Sequence, residues 1–393
     1  MSLAVDPYIW EWGDLLFRWL HVIAAIVWIG TSFYFVALDN HLRPADERDD
    51  LTGESWEIHG GGFYRVEKFR VAPATLPEPL HWFKWEAYTT WLSGFALFVV
   101  VYYVHASSLL VDPGVADLET WEAILISVAG LAVAWLVYDG LCRVLRDERL
   151  LALAVFGFVV LAAWGASRLF APRAAYLEVG AMIGTIMVAN VFFVIIPAHW
   201  ELIRGKQAGR EPDPRWNARG KQRSVHNNYL TLPVLFAMLS NHFAFTYQHE
   251  HAWLVLVALM ALGALARHFF NLRHAGRNVL WIPVTALVGV GVVAFLIRPG
   301  SGGPAISSGP AVPFAKANAV IRERCVPCHS ANPTQAGVSS APKGVRLDTR
   351  KEIESQAQAI EEQAVVLKAM PLANATHMTE AERDLLARWL RSR

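Results

Sequence analysis

The densest chemistry in this 393-residue chain is Cys325-Val326-Pro327-Cys328-His329. A Cys-x-x-Cys-His run attaches a c-type haem: the two thiols add to the vinyl groups and the adjacent imidazole reaches the iron. A zinc site would need a second ligand pair, and the remaining cysteine, Cys142, lies far back inside a hydrophobic run. A thioredoxin-like motif would need a βαβ context, which this segment lacks. The sixth iron ligand is expected downstream. Met370 stands in Lys-Ala-Met-Pro, where the proline ends a helix and holds the sulfur in a loop. Met378 competes but reads better as a hydrophobic staple before a Thr379 helix cap, and His377 ranks third. The expectation is one covalent haem c with His329 and Met370 on the iron. Haem c is attached outside the bacterial cytoplasm, so this part of the chain is expected in the periplasm.

A second set of reactive residues lies within apolar runs, where ionisable and amide side chains are costly and therefore functional candidates. His226, Asn227, Asn228 and Tyr229 open one run, and Lys84 and Glu86 open another. With Thr231, the His226–Tyr229 residues supply more donors and acceptors than a helix cap needs, and this set, with Lys84 and Glu86, predicts a polar substrate pocket. Capping asparagines and snorkelling charges are the plainer reading. His21 and His242 fall at similar depths in two other runs and predict a bis-imidazole haem b site. The plainer reading there is that each hydrogen-bonds a neighbouring helix. His59-Gly60-Gly61-Gly62 precedes the Lys84 run and is read as a loop whose amides are open to an anion or planar ligand.

The elements that must position these residues are mostly helices. Apolar runs long enough to span a bilayer occur near residues 14–38, 84–106, 121–143, 149–170, 175–198, 226–247, 253–273 and 279–298. Lys and Arg crowd alternate connections. They are dense in 39–83, 143–149, 199–225 and 273–277, but absent from 107–120 and 248–252, and 171–174 holds only Arg173. By the positive-inside rule both termini are then periplasmic, which agrees with the haem motif. Residues 1–13 contain no Lys or Arg, so no signal peptide is expected and export of the C-terminus falls to the helices. Trp10, Trp12, Trp82, Trp121 and Trp253 fall near helix ends as an interfacial belt.

The composition shifts to Gly, Ser and Pro over 299–313, a flexible linker. Residues 314–393 then read as a small class I cytochrome c domain, with helices on either side of the haem loop and a Thr379–Glu382 capping box on the last one. The fold class expected is all-α: an eight-helix transmembrane bundle over 1–298, the linker, and the cytochrome. A hydrophobic content of 54%, 16 tryptophans and 18% charged residues are those of a membrane protein, and a net charge of +1 argues against nucleic acid.

With these segments in hand, the chain resembles the bacterial membrane-bound urate oxidases (urate hydroxylases) that carry a C-terminal cytochrome c domain. The resemblance rests on HVIAAIVWIGTSFYF (21–35), HGGGFYRVEKF (59–69), WFKWEAYTTWLSG (82–94), GTIMVANVFFVIIPAH (184–199), SVHNNYLTLPVLFAMLSNH (224–242) and RCVPCH (324–329). It implies oxidation of urate to 5-hydroxyisourate in the bacterial inner membrane. Electrons would leave through haem c to a downstream cytochrome c or terminal oxidase. A cation such as Lys84 or Arg267 would hold the purine anion, and His226 would act as general base. Because haem c takes one electron at a time, a second redox centre or two sequential transfers is required. The rival is a quinol dehydrogenase passing electrons to cytochrome c. A copper-handling transporter is disfavoured by the absence of a Met- or Cys-rich membrane run.

Overall fold

A computed structural model describes residues 7–45, 48–298, 310–335, 338 and 340–392. The chain is mostly helical, and each apolar run expected to span a membrane falls on a helix. In order these are α1 (Pro7–His41), α2 (Trp85–Phe98, continued by a π-helical turn, Val99–Tyr103), α3 (Thr120–Val144) and α4 (Glu148–Leu169). The 36-residue rod α5 follows (Pro172–Gln207, with a π-helical turn at Val191–Ile195), then α6 (Pro214–Leu239), α7 (Ala252–His274) and α8 (Trp281–Leu296). Among the described residues five helices are long and apolar enough to cross a membrane: α1, α3, α4, α5 and α7. The other three differ for visible reasons. The α-helical part of α2 ends at its π turn, and α8 has only 16 residues. α6 begins twelve residues before its apolar run, because Pro214 at the first helical position and the Asp213 cap start a helix through Arg215–Arg223.

α5 is the axis of the bundle. It is buried from Ala174 to Asn190 over most positions and packs against α2, α3, α4, α6 and α7. α1 packs on α2, and α7 lies between α6 and α8. The outward faces stay apolar: Ile23, Ile26 and Val27 on α1, Leu153 and Leu161 on α4, and Leu287 and Val288 on α8 are all exposed. Helices that are apolar on both the core side and the outside are consistent with a membrane protein.

The all-α expectation is corrected between α1 and α2. His59–Gly62 is no open loop; it closes an antiparallel hairpin of β1 (Leu51–His59) and β2 (Gly62–Phe69). Gly60 and Gly61 both have positive φ, +58° and +83°, as a two-residue hairpin turn of the primed type requires. The glycines serve the turn.

The C-terminal unit has its own core of Ile321, Leu347, Ile353, Ile360, Met378, Leu386 and Trp389. Its helices are α9 (Phe314–Arg324), α10 (Arg350–Ser355) and α11 (Glu380–Arg391), the last two opened by capping boxes at Thr349–Glu352 and Thr379–Glu382. Residues 299–309 of the expected linker lie outside the described residues.

Candidate functional site

α9 runs straight into the cysteine motif. The Cys325 amide closes the helix onto the Ile321 carbonyl (2.8 Å), and the amides of Cys328 and His329 both return to the Cys325 carbonyl (3.1 and 2.9 Å). That turn brings both thiols and the imidazole to one cavity of about 310 Å³, which Met370 also lines. His329 Nδ1 lies 3.0 Å from the Val345 carbonyl oxygen. A carbonyl only accepts, so Nδ1 carries the proton and the Nε2 lone pair is left for a ligand. Met370 is held through its backbone: its amide donates to the Gln363 carbonyl (2.9 Å) and its carbonyl accepts from Arg383 Nη1 (2.7 Å).

Burial pushes the Cys325 thiol up to about 12, with Cys328 adding to the rise, and burial also raises Cys328. A disulfide-exchange motif needs the opposite shift, a lowered thiol. The competing sulfur, Met378, is 3% exposed within the apolar core and does not line the cavity, and His377 is exposed. Two thiols, a tautomer-fixed imidazole and a thioether on one apolar cavity fit a covalent haem c. The cavity continues onto the bundle, where Trp10, Asp14, Val100 and His105 complete its wall.

In the bundle, the four consecutive residues His226–Tyr229 do not share one pocket. Successive helical residues turn by about 100°, so α6 divides them between two sides. Toward α3 and α5, His226 Nδ1 lies 2.7 Å from Tyr138 Oη and its Nε2 lies 3.5 Å from Glu148. Asn227 donates to the Met187 carbonyl (2.9 Å) and accepts from Asn190 (3.0 Å), which also donates to Tyr138 Oη (3.2 Å). Asn190 is the residue just before the π turn of α5, a kind of distortion that gathers at functional sites.

Toward α7, Asn228 accepts from Arg267 Nε (2.6 Å) and donates to Asn271 Oδ1 (3.1 Å), while Tyr229 Oη lies 2.7 Å from His268 Nδ1. The Arg267 guanidinium sits 3.8 Å from the centre of the Phe33 ring, and its Nη2 is buried with no hydrogen-bond partner. Among the described residues no carboxylate pairs with it. Arg223, a buried cation on α6, is by contrast balanced by Asp139 at 2.6 Å.

Lys84 stands at the first position before α2, its ammonium 5.0 Å from the Trp82 ring, and Glu86 leaves Oε2 buried without a partner. No hydrogen bond or ion pair joins either side chain to His226–Tyr229 among the described residues. Among the described residues no hydrogen bond or ring contact joins His21 to His242. His21 Nδ1 lies 2.9 Å from the Thr90 carbonyl oxygen, and its ring is pressed so close to α2 that a Cβ on Gly94 would meet it at 2.6 Å. His242 is exposed on the 3₁₀ turn after α6.

Sequence reasoning missed Glu178, Asp139 and Phe33. Glu178, 2% exposed in α5, accepts from Ser127 Oγ (2.7 Å), which in turn meets Tyr103 Oη (2.7 Å). A lone acid in an apolar helix is itself the signal that could have marked Glu178 and Asp139. Phe33 carried none, because only the fold sets it against Arg267.

A family model described as Urate oxidase N-terminal matches residues 7–298. No curated protein and no solved structure matches the chain.

Proposed function

Taking as premise that the chain belongs to the urate oxidase N-terminal family, which makes its function urate-related and oxidative, we propose that it converts urate to 5-hydroxyisourate inside a membrane-embedded bundle. On this reading the C-terminal unit is a periplasmic cytochrome c that takes the electrons, and residues 299–313 tether it to a bundle of eight membrane-crossing helices in the bacterial inner membrane. The observation that carries the substrate assignment is Arg267. A buried guanidinium with a free Nη2 and no carboxylate is uncompensated, and a charge in that state is costly. A planar purine anion restores neutrality, accepts from Nη2 and stacks in line with the Phe33 ring.

Conversion of urate to the hydroxylated product removes two electrons and two protons and adds one water oxygen to the purine. The reading assigns the first proton to the Tyr229–His268 pair, beside Arg267 on α7. His226 has the same pairing with Tyr138, yet it lies about 200° around α6 from Asn228 and faces the other network. Asn228 positions the guanidinium, and Asn271 fixes Asn228 in turn. When bound, haem c supplies a one-electron carrier, held by thioethers from Cys325 and Cys328 and by the His329 and Met370 side chains.

The test is anaerobic. Oxidised protein in detergent receives urate while the haem α-band and the ultraviolet absorbance of the purine are recorded together. The expected outcome is a reduced c-type band, two haems per urate consumed, and no b-type band. An unchanged band with urate, together with reduction by a quinol, would replace this reading with a quinol dehydrogenase.

A further inference from the structure

The β1–β2 hairpin does not extend away from the bundle into water. It doubles back along α1. The Glu54 backbone pairs with that of Arg43, just past the end of α1 (2.9 and 2.8 Å). Three residues on, Glu57 accepts from Tyr34 Oη (2.8 Å) and lies 3.7 Å from His41 Nε2. Lys68 on the return strand donates to Asp39 (2.5 Å). Tyr34 stands seven residues before His41, about 10 Å back along the helix axis. The strand continues past Glu57 through Ile58 and His59 to the turn, roughly another 7–10 Å in the same direction.

At 35 residues α1 is about 50 Å long, against a hydrocarbon core of about 30 Å, so its last turns stand at the bilayer surface. A hairpin folded back over those turns is aimed at the membrane, and its tip is apolar. Ile58 and Phe63 face each other across the strands and are 70% and 78% exposed. Trp56 and Tyr64 flank them and are exposed too, continuous with exposed Tyr34 and Phe35 on α1. The charges of the strands are already paired: Arg65, opposite Trp56, with Glu54 and Glu67, and nearer the base Lys68 with Asp39 and Arg48 with Asp50. An isolated two-stranded hairpin is marginal in water and needs a surface on which to bury its apolar side.

We propose that this hairpin is an interfacial anchor, with Trp56, Ile58 and Phe63 seated in the headgroup–acyl boundary beside α1. The inference rests on the membrane reading of α1 and is independent of the substrate. Because the basic residues are internally paired, the contact is apolar, and anionic headgroups are not required.

The test uses the full chain, as purified with its haem, in lipid nanodiscs. Bimane is attached to Phe63→Cys in a Cys142→Ala background, with Thr52→Cys, exposed at the hairpin base, as reference. Quenching by aqueous iodide and by lipids doxyl-labelled near the headgroup is compared. At residue 63 iodide quenching should fall at least threefold relative to residue 52, and the doxyl lipid should quench strongly. Both results should hold in phosphatidylcholine with or without phosphatidylglycerol. Equal iodide quenching at the two positions overturns the proposal. Shielding from both quenchers overturns it as well, because protein, such as a second copy of this chain, then covers the tip. Ile58→Cys repeats the measurement from the opposite strand. No substrate is involved, so failure here leaves the urate reading standing.

Discussion

The C-terminal cavity and the Arg267 slot are two candidate sites built in opposite ways. The cavity takes its thiols, imidazole and thioether from one stretch between residues 325 and 370, and the spacing of the first three is set by a single turn at the end of α9. The slot takes Phe33 from α1, Asn228 from α6, and Arg267 and Asn271 from α7. Local chain geometry fixes the first. The second exists only once three helices have packed, so no spacing in the sequence joins its residues. Chemistry carried by spacing can be read before folding; chemistry carried by juxtaposition cannot.

The largest effect that would sharpen this contrast is at the motif. Cys325→Ser with Cys328→Ser should abolish covalently held haem completely, as read by haem staining after denaturing electrophoresis, while the bundle still binds urate. Loss of urate binding in that variant would break the comparison, because the two sites would then not be separable.

Next come the two methionines. Met378→Ala opens a hole in the C-terminal core and should cost about 2–5 kcal/mol of that unit's stability with its methionine–iron absorption band intact. Met370→Ala should cost less stability but erase the band while haem stays attached. A retained band in Met370→Ala would transfer the ligand role to Met378. The two residues are eight positions apart, and the sequence separated them by chemistry alone: a proline after one, a helix cap after the other. The structure sets one on the cavity and the other in the core.

In the bundle the expected effects are smaller. Arg267→Lys keeps the charge but loses the planar fork, so urate affinity should fall roughly 10–100-fold, the equivalent of about 1.5–3 kcal/mol for a hydrogen bond to a charged group. Isothermal titration of the oxidised protein under anaerobic conditions would measure it. His226→Ala should leave that affinity within about twofold, since its partners Tyr138 and Glu148 belong to the other network. An equal loss in both variants would mean the networks act as one site.

How much was legible follows the same division. All eight apolar runs were visible because hydrophobic length is a local property, and each lies on a helix. The hairpin was legible and overlooked: Gly60-Gly61 between alternating strands is a two-residue turn signal, but the same glycines also suit a ligand loop. His226–Tyr229 looked like one cluster because they are adjacent in sequence, whereas a helix sends neighbours to different sides. His21 and His242 matched in depth, but depth says nothing of azimuth: His21 Nδ1 meets the Thr90 carbonyl on α2, while His242 is exposed on the turn after α6. Arg267 shows the converse: its residue type gave the alert, and only packing shows that its charge is left unpaired.

The smallest effect concerns what holds the C-terminal unit together. Arg324, one residue before Cys325, reaches across to Glu382 on α11 (3.0 Å) and to the Thr376 carbonyl (2.7 Å), so the pair ties the cavity's first helix to its last. Burial alone would raise the Glu382 carboxyl, but hydrogen bonds from the Thr379 backbone and from Arg324 outweigh it and hold the group below the usual carboxylate range. A carboxyl depressed in the folded state contributes stability that is fully present above its unfolded value, about 4.3, and is lost as pH falls through the folded value. Thermal melts followed at the haem Soret band should therefore drop as pH falls from about 5 to 3. Glu382→Gln should flatten that drop while lowering stability at pH 7 by less than about 1 kcal/mol, since the pair is partly solvated. The bundle, whose buried Asp139–Arg223 pair contacts no part of this unit, should show the same acid profile in both proteins. A shift of the bundle's own transition in Glu382→Gln would mean that the two regions, built so differently, nevertheless unfold together.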